Sequence, residues 1–153
     1  MPDHPNVLLL TADHWPASLL GSAGHSAIET PTLDSLARNG IRFTNAYTEC
    51  PVCIPARRTL LTGASPRSHG DRTFQGELEM PNIPTIADVF NANGYQTYAS
   101  GKLHVYPPRA RAGFNDVQLC AEGRPQFGPT DDYEIYLGDV GETGKQFLHG
   151  MSN

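Results

Sequence analysis

The sequence predicts an α/β fold in which a mostly parallel sheet is flanked by helices. Three observations carry that expectation. A short, continuous apolar run, Asn6 to Ala12, ends in a polar cluster, as a strand buried on both faces of a parallel sheet does. Capped helical segments then alternate with strand-like segments along the chain, the order that parallel sheets with right-handed crossovers produce. Finally, the polar and charged residues Asp13 and Gly101-Lys102 fall where strands should end, and in such sheets ligands bind beyond the carboxyl ends of the strands.

The elements follow in order. After the first strand, Thr30 is suited to cap a helix, Pro31 to open it and Gly40 to stop it; Leu33, Leu36 and Ala37 share a face, so this helix is expected to pack inward. Ile41 to Tyr47 alternates apolar and polar residues and mixes aromatic with β-branched types, which predicts a second, half-buried strand. A second helix is expected from about Pro55 to Leu61, ended by Gly63. Pro84 opens a third through Asn93, with Ile86, Val89 and Phe90 as its apolar stripe and Gly94 as its stop. Tyr95 to Ser100 follows as a strand, and Asp116 to Cys120 as another. From Gly138 to Asn153 no period emerges, and that stretch reads as loop or as an element missing its partners. Neither an internal repeat nor a low-complexity tract is present.

Composition narrows the function classes. Hydrophobic residues make up 39% and charged residues 18%, the balance of a globular domain, and no apolar run approaches the roughly 20 residues that span a bilayer. With 11 Lys and Arg against 16 Asp and Glu, the net charge is -5, which argues against nucleic acid as a partner. The opening residues, Met1 to Pro5, show no basic and long apolar regions of a secretory signal, so the expected location is cytoplasmic, with no membrane partner. Three cysteines, Cys50, Cys53 and Cys120, are too few and odd in number for a disulfide framework, leaving one of them available for chemistry.

Pro51 to Gly63 (PVCIPARRTLLTG) is the informative stretch. Cys53 stands just ahead of a predicted helix start, where amide groups and the helix dipole favour an anion. Such a position lowers a thiol pKa or receives an oxyanion. Arg57, one turn on, adds a permanently charged planar fork suited to sulfate or phosphate oxygens. Two other readings stand beside this one: a buried cysteine in a proline-defined turn with Arg57 in a surface ion pair, and a redox or metal Cys50-x-x-Cys53 pair.

Cys-x-Pro-x-Arg followed by Leu-Leu-Thr-Gly resembles the signature of the type I, formylglycine-dependent sulfatases, of alkaline phosphatase-like fold. Gly94 to His104 (GYQTYASGKLH) resembles their second signature, and Asn6 to Asp13 (NVLLLTAD) resembles their first strand with its metal-binding acid. Thr30 to Ala37 and Arg42 to Tyr47 match further segments of the family in the same order. His14 stands where the family usually has Asp or Gln, Ile54 where it has a small residue, and Leu103 where an aromatic or similar residue is usual.

The resemblance implies a sulfuric ester hydrolase whose Cys53 is oxidised to formylglycine by a formylglycine-generating enzyme. The hydrated aldehyde would attack sulfur, expel the alcohol and then collapse to release sulfate, a breakdown route that a serine ester lacks. It implies a divalent metal held by Asp13, His14 and residue 53, with calcium in first place and magnesium or manganese as alternatives. Arg57 would hold the diol, Lys102 would place its charge on sulfate oxygens, and His104 would bind or deprotonate a diol oxygen. His69 and Arg72 fall in a downstream loop expected to be solvated. The substrate would be a sulfate ester of a small molecule or carbohydrate. Residues 1–153 would be the N-terminal part of one catalytic domain, best matched over 1–115, an incomplete fold with little or no turnover by itself. The alternatives are a phosphonate monoester or phosphodiester hydrolase with the same nucleophile, and a non-catalytic or redox α/β module using Cys50 and Cys53.

Overall fold

A computed structural model describes residues 4–120 and 131–142; the expected loop beyond residue 142 lies outside them. The chain forms two compact units, residues 1–46 and 47–153.

In the first unit, two short 3-10 turns, Ala17–Leu19 and Gly21–Ala23, precede α1, Pro31–Asn39. Thr30 is the N-cap and Pro31 the first helical residue, as expected, but the Thr30 hydroxyl does not cap the helix. It accepts from the Gly21 amide at 2.9 Å and donates to Asp34 Oδ1 at 2.9 Å, while the Ser22 amide donates to the same carboxylate at 2.7 Å. A Cβ on Gly21 would come within 2.5 Å of Asp34 Oδ2, so only glycine lets the turn close on the helix start.

Three expectations fail in this unit. Residues 6–12 form no strand, and Leu8 is 80% exposed. Residues 41–47 likewise run without strand pairing, with Ile41 82% exposed. A strand exists only where a neighbour supplies its ladder, and the single ladder among the described residues is elsewhere. For the same reason α1 does not pack inward: Leu33 and Leu36 are exposed and none of its residues is buried. An apolar stripe specifies which face can be buried; it does not supply the opposing surface.

The second unit holds the core. Its helices are α2, Cys53–Thr62; α3, Pro66–His69; α4, Ile86–Ala92; and α5, Asp132–Asp139, around a two-stranded parallel sheet of β1, Tyr98–Gly101, and β2, Asp116–Leu119. The register pairs Tyr98 with Asp116 and Gly101 with Leu119, so two segments expected to be strands pair in parallel, in keeping with the parallel sheet expected of the fold. Among the described residues, Ile54, Leu61, Ala87, Leu119 and Leu137 form the buried hydrophobic core. The expected stripe on α4 is not what is buried: Ile86 and Val89 are exposed, Phe90 is half-buried edge-on to Tyr95 at 5.0 Å, and Ala87 is the buried residue of the helix. Polar contacts tie this helix to the 111–115 loop.

Those contacts start from a capping box in which Thr85 and Asp88 satisfy each other's amides. The Thr85 hydroxyl also donates to the Ala112 carbonyl at 2.9 Å, and Asn91 Nδ2 donates to the Gly113 carbonyl at 2.7 Å. α5 has no counterpart in the sequence reading, although Asp131 as N-cap followed by Asp132 and Glu134 in the first turn is a start signal. Asp132 accepts from the Leu119 amide at 2.7 Å and pairs with Arg109 at 2.6 Å, tying α5 to the end of β2.

Gly113 has φ +88°, and a Cβ there would lie 2.4 Å from Thr85 Oγ1 and 2.6 Å from Asp88 Oδ1. Gly113→Ala is expected to destabilise by about 1–3 kcal/mol, read as a lower urea midpoint. The Leu119 amide first, and Arg109 second, hold the Asp132 carboxyl below its ordinary 3.8. Its stabilisation is therefore complete above pH 3.8 and lost as pH falls through the lower folded value. Asp132→Asn should flatten the acid limb of the stability–pH curve; an unchanged limb would contradict this.

Candidate active site

Cys53 is the first residue of α2, so the helix starts two residues earlier than Pro55. The start follows from the chain entering extended at Val52, the N-cap, which has no side chain able to cap. Pro55 has no amide hydrogen and the first intrahelical bond runs from the Ala56 amide to the Val52 carbonyl at 2.9 Å. The half-buried Cys53 thus stands at the positive end of a helix dipole with no competing side-chain cap.

Arg57, one turn further, reaches across to the loop after β1: its Nη1 donates to the Lys102 carbonyl. That bond brings together the Cys53-bearing helix and the Gly101-Lys102 turn, both singled out in the sequence. Gly101 ends the strand at φ +106°, and His104 follows in the left-handed region at φ +53°. Non-glycine residues adopt that region at a cost, and such residues concentrate at functional sites. Lys102 and His104 are half-buried, and the Phe74 ring stands edge-on to the His104 ring with centroids 6.1 Å apart.

The opposite face of α2 is anchored by a residue the sequence reading passed over. Arg58 is 2% exposed and its Nε lies 3.3 Å from Oδ2 of Asp71, which is 0% exposed. Arg58 also donates to the Glu79 carbonyl and, at 2.6 Å, to the Leu78 carbonyl. Consecutive helical residues point about 100° apart, so Arg57 and Arg58 could not share one role. Arg58 falls in the Ile54, Arg58, Leu61 row, and that helical spacing was the available signal that its side chain is buried.

His69 is not in a solvated loop, as expected, but buried. Its Nδ1 accepts from the Asp71 amide at 3.2 Å, which leaves the proton on Nε2 to donate to Thr59 Oγ1 at 3.0 Å. Capping by Ser65 and the left-handed Gly70 turn α3 back on α2 and put the ring there. Arg72 is exposed, and its carbonyl accepts from the Cys50 thiol at 3.4 Å. Cys50 and Cys53 are both free thiols, and Cys50 sits at φ +46°.

Asp13 and His14 belong to the first unit. His14 Nε2 lies 4.0 Å from Asp13 Oδ2, with the His14 side chain 85% exposed, and His14 has φ +55°. Among the described residues, no group of three or more His, Cys, Asp and Glu side chains gathers as a metal site would require. These residues therefore fit part of a donor set, in which the Asp13 carboxylate is the oxygen donor suited to a hard cation.

The Sulfatase family pattern matches residues 5–147. The chain is 42% identical over 115 residues to an arylsulfatase of Clostridium perfringens, covering 75% of this chain and 24% of that protein. It is 38% identical over 118 residues to an ulvan-active sulfatase of Formosa agariphila, covering 72% of this chain and 23% of that one. The solved structure of Ps i-CgsB superposes with a TM-score of 0.67 at 29% identity, covering 97% of this chain and 34% of the other. The chain spans about a quarter of the length of the curated relatives it matches.

Removing the Asp71 carboxylate strands the Arg58 charge in the core, so Asp71→Ala is expected to cost about 3–5 kcal/mol. Arg58→Met combined with Asp71→Leu should cost less than Asp71→Ala alone, both read by chemical denaturation. Burial, helped by the Arg58 charge and opposed by Asp71 and Glu49, pulls the His69 pKa below the ordinary 6.5. The neutral ring contributes fully above pH 6.5 and progressively less as pH falls through the folded value. Loss of stability as pH falls below 6.5 should accordingly shrink in His69→Gln, measured as the change in denaturation midpoint.

Proposed function

The chain belongs to the sulfatase family, and on that premise we propose that it carries the nucleophile end of a sulfate-ester hydrolase, with Cys53 as the residue converted to formylglycine. The observation that supports this most is the Arg57 bond to the Lys102 carbonyl, which joins the cysteine-bearing helix start to the turn bearing the candidate sulfate-side residues. Once converted, residue 53 would supply a hydrated aldehyde, one hydroxyl displacing the alcohol from sulfur and the other driving sulfate release.

Around that group the chain's own residues have separable tasks. The start of α2 favours negative charge at position 53 through its dipole. Arg57 would add a fixed positive charge one turn into the helix, its guanidinium oriented by the Lys102 carbonyl. Lys102 would bind sulfate oxygens as a point charge, and His104 would hold or take a proton from a hydroxyl on residue 53. Asp13, with His14, would contribute to holding a divalent cation, calcium in first place, whose charge when bound would polarise the ester oxygens. The relatives are named for an aryl ester and for ulvan, so the substrate class is a sulfate ester of a small molecule or carbohydrate.

Coexpression of the chain with a formylglycine-generating enzyme, followed by peptide mapping, tests the central step. The expected product exchanges one sulfur and two hydrogens for one oxygen at residue 53; an unmodified thiol, or a Cys50–Cys53 disulfide that only loses two hydrogens and returns with reductant, would overturn it. Lys102→Ala should weaken binding of inorganic sulfate by roughly tenfold, the scale of one charge-assisted contact, by calorimetric titration.

A further inference from the structure

The geometry points to Phe74 as a positioning residue for His104. Residues 71–79 form an arm fixed at both ends by the core: the Asp71 carboxylate pairs with buried Arg58, and the Leu78 and Glu79 carbonyls accept from the same guanidinium. The Cys50 thiol adds a contact to the Arg72 carbonyl. Between these anchors Phe74 leaves 48% of its surface exposed, so its placement contributes little to the core. What it meets is the His104 ring, at 6.1 Å and 66° between planes, an edge-to-face arrangement inside the roughly 4.5–7 Å range of stabilising ring pairs.

His104 needs such confinement. Its backbone lies at φ +53°, in a loop whose other left-handed non-glycine residues are Arg109 and Ala112, and a strained residue holds one conformation only when its surroundings over-determine it. An imidazole that serves as proton acceptor must also present one ring nitrogen to the reacting group, so its orientation and tautomer matter as much as its location. The Phe74 ring restricts rotation of the imidazole, and the Arg58–Asp71 pair fixes the arm that delivers the ring. A chain of contacts thus runs from the core of α2, through Asp71 and Phe74, to a residue on the sulfate side. This assignment rests on the reading of His104 as part of the sulfate site.

The test uses the whole chain labelled with carbon-13 and nitrogen-15 histidine, as wild type, Phe74→Ala, Phe74→Leu and Phe74→Tyr. Buried His69 reports whether each variant is folded. In Phe74→Ala and Phe74→Leu the His104 ring should lose its ring-current shift and its restricted rotation, read as altered carbon-13 relaxation, while the His69 signals stay in place. Phe74→Tyr should restore both. Titration with inorganic sulfate, followed at His104, should show affinity roughly three- to tenfold weaker in the alanine and leucine variants, the scale of one ring pair, and recovery in the tyrosine variant. A His104 ring-current shift and ring relaxation unaltered by the leucine variant would overturn the proposal. Absence of any sulfate response in the wild type would instead overturn the sulfate-site reading, leaving the ring shift and relaxation to decide the role of Phe74.

Discussion

The buried pairing of Arg58 with Asp71 is the interaction on which the arrangement of the second unit depends. A guanidinium that is 2% exposed can remain in a core only if its charge is met and its donors are used; here Asp71 meets the charge and two carbonyls take donors. The cost of desolvating both ions makes the pair a doubtful source of net stability. Its consequence is conformational, because neither ion tolerates separation from the other. Residues 71–79 are thereby tied to α2, and through Phe74 they reach the loop that follows β1.

Helical geometry divides the work between two adjacent arginines. Arg58 turns to the core and Arg57, rotated around the helix, turns to the Lys102 carbonyl. The same short helix therefore presents Cys53 at its positive end, secures the turn after β1 by one face and secures an arm of the chain by another. His69 supports this frame as a ring between Thr59 and the Asp71 amide, and burial first, with the nearby Arg58 charge second, lowers its proton affinity.

Parts of this were legible from local chemistry. Pro31 and Gly63 mark helix ends because proline lacks a donor the first turn does not need and glycine accepts the left-handed stop, φ +67° at Gly63. The β1 and β2 segments were likewise readable as strands, and a parallel sheet as the fold class. Cys53, Arg57, Lys102 and His104 were singled out through the family resemblance, with residue spacing alone leaving plainer readings open. Arg58, Asp71 and Phe74 were not read, since their meaning lies in partners 13 to 30 positions away, as with Asp71 on Arg58 and Phe74 on His104.

The sequence by itself determined which segments can be helix or strand and which family the chain falls in, because capping, periodicity and short motifs act within a few residues. Tertiary structure alone decided which of those possibilities are realised. Residues 6–12 carry a strand pattern yet form no ladder, and α1 carries an apolar stripe yet buries none of its residues. The physical reason is the same in both cases: a hydrogen-bond edge or an apolar face is only half of an interaction, and the other half must be brought to it from elsewhere in the fold.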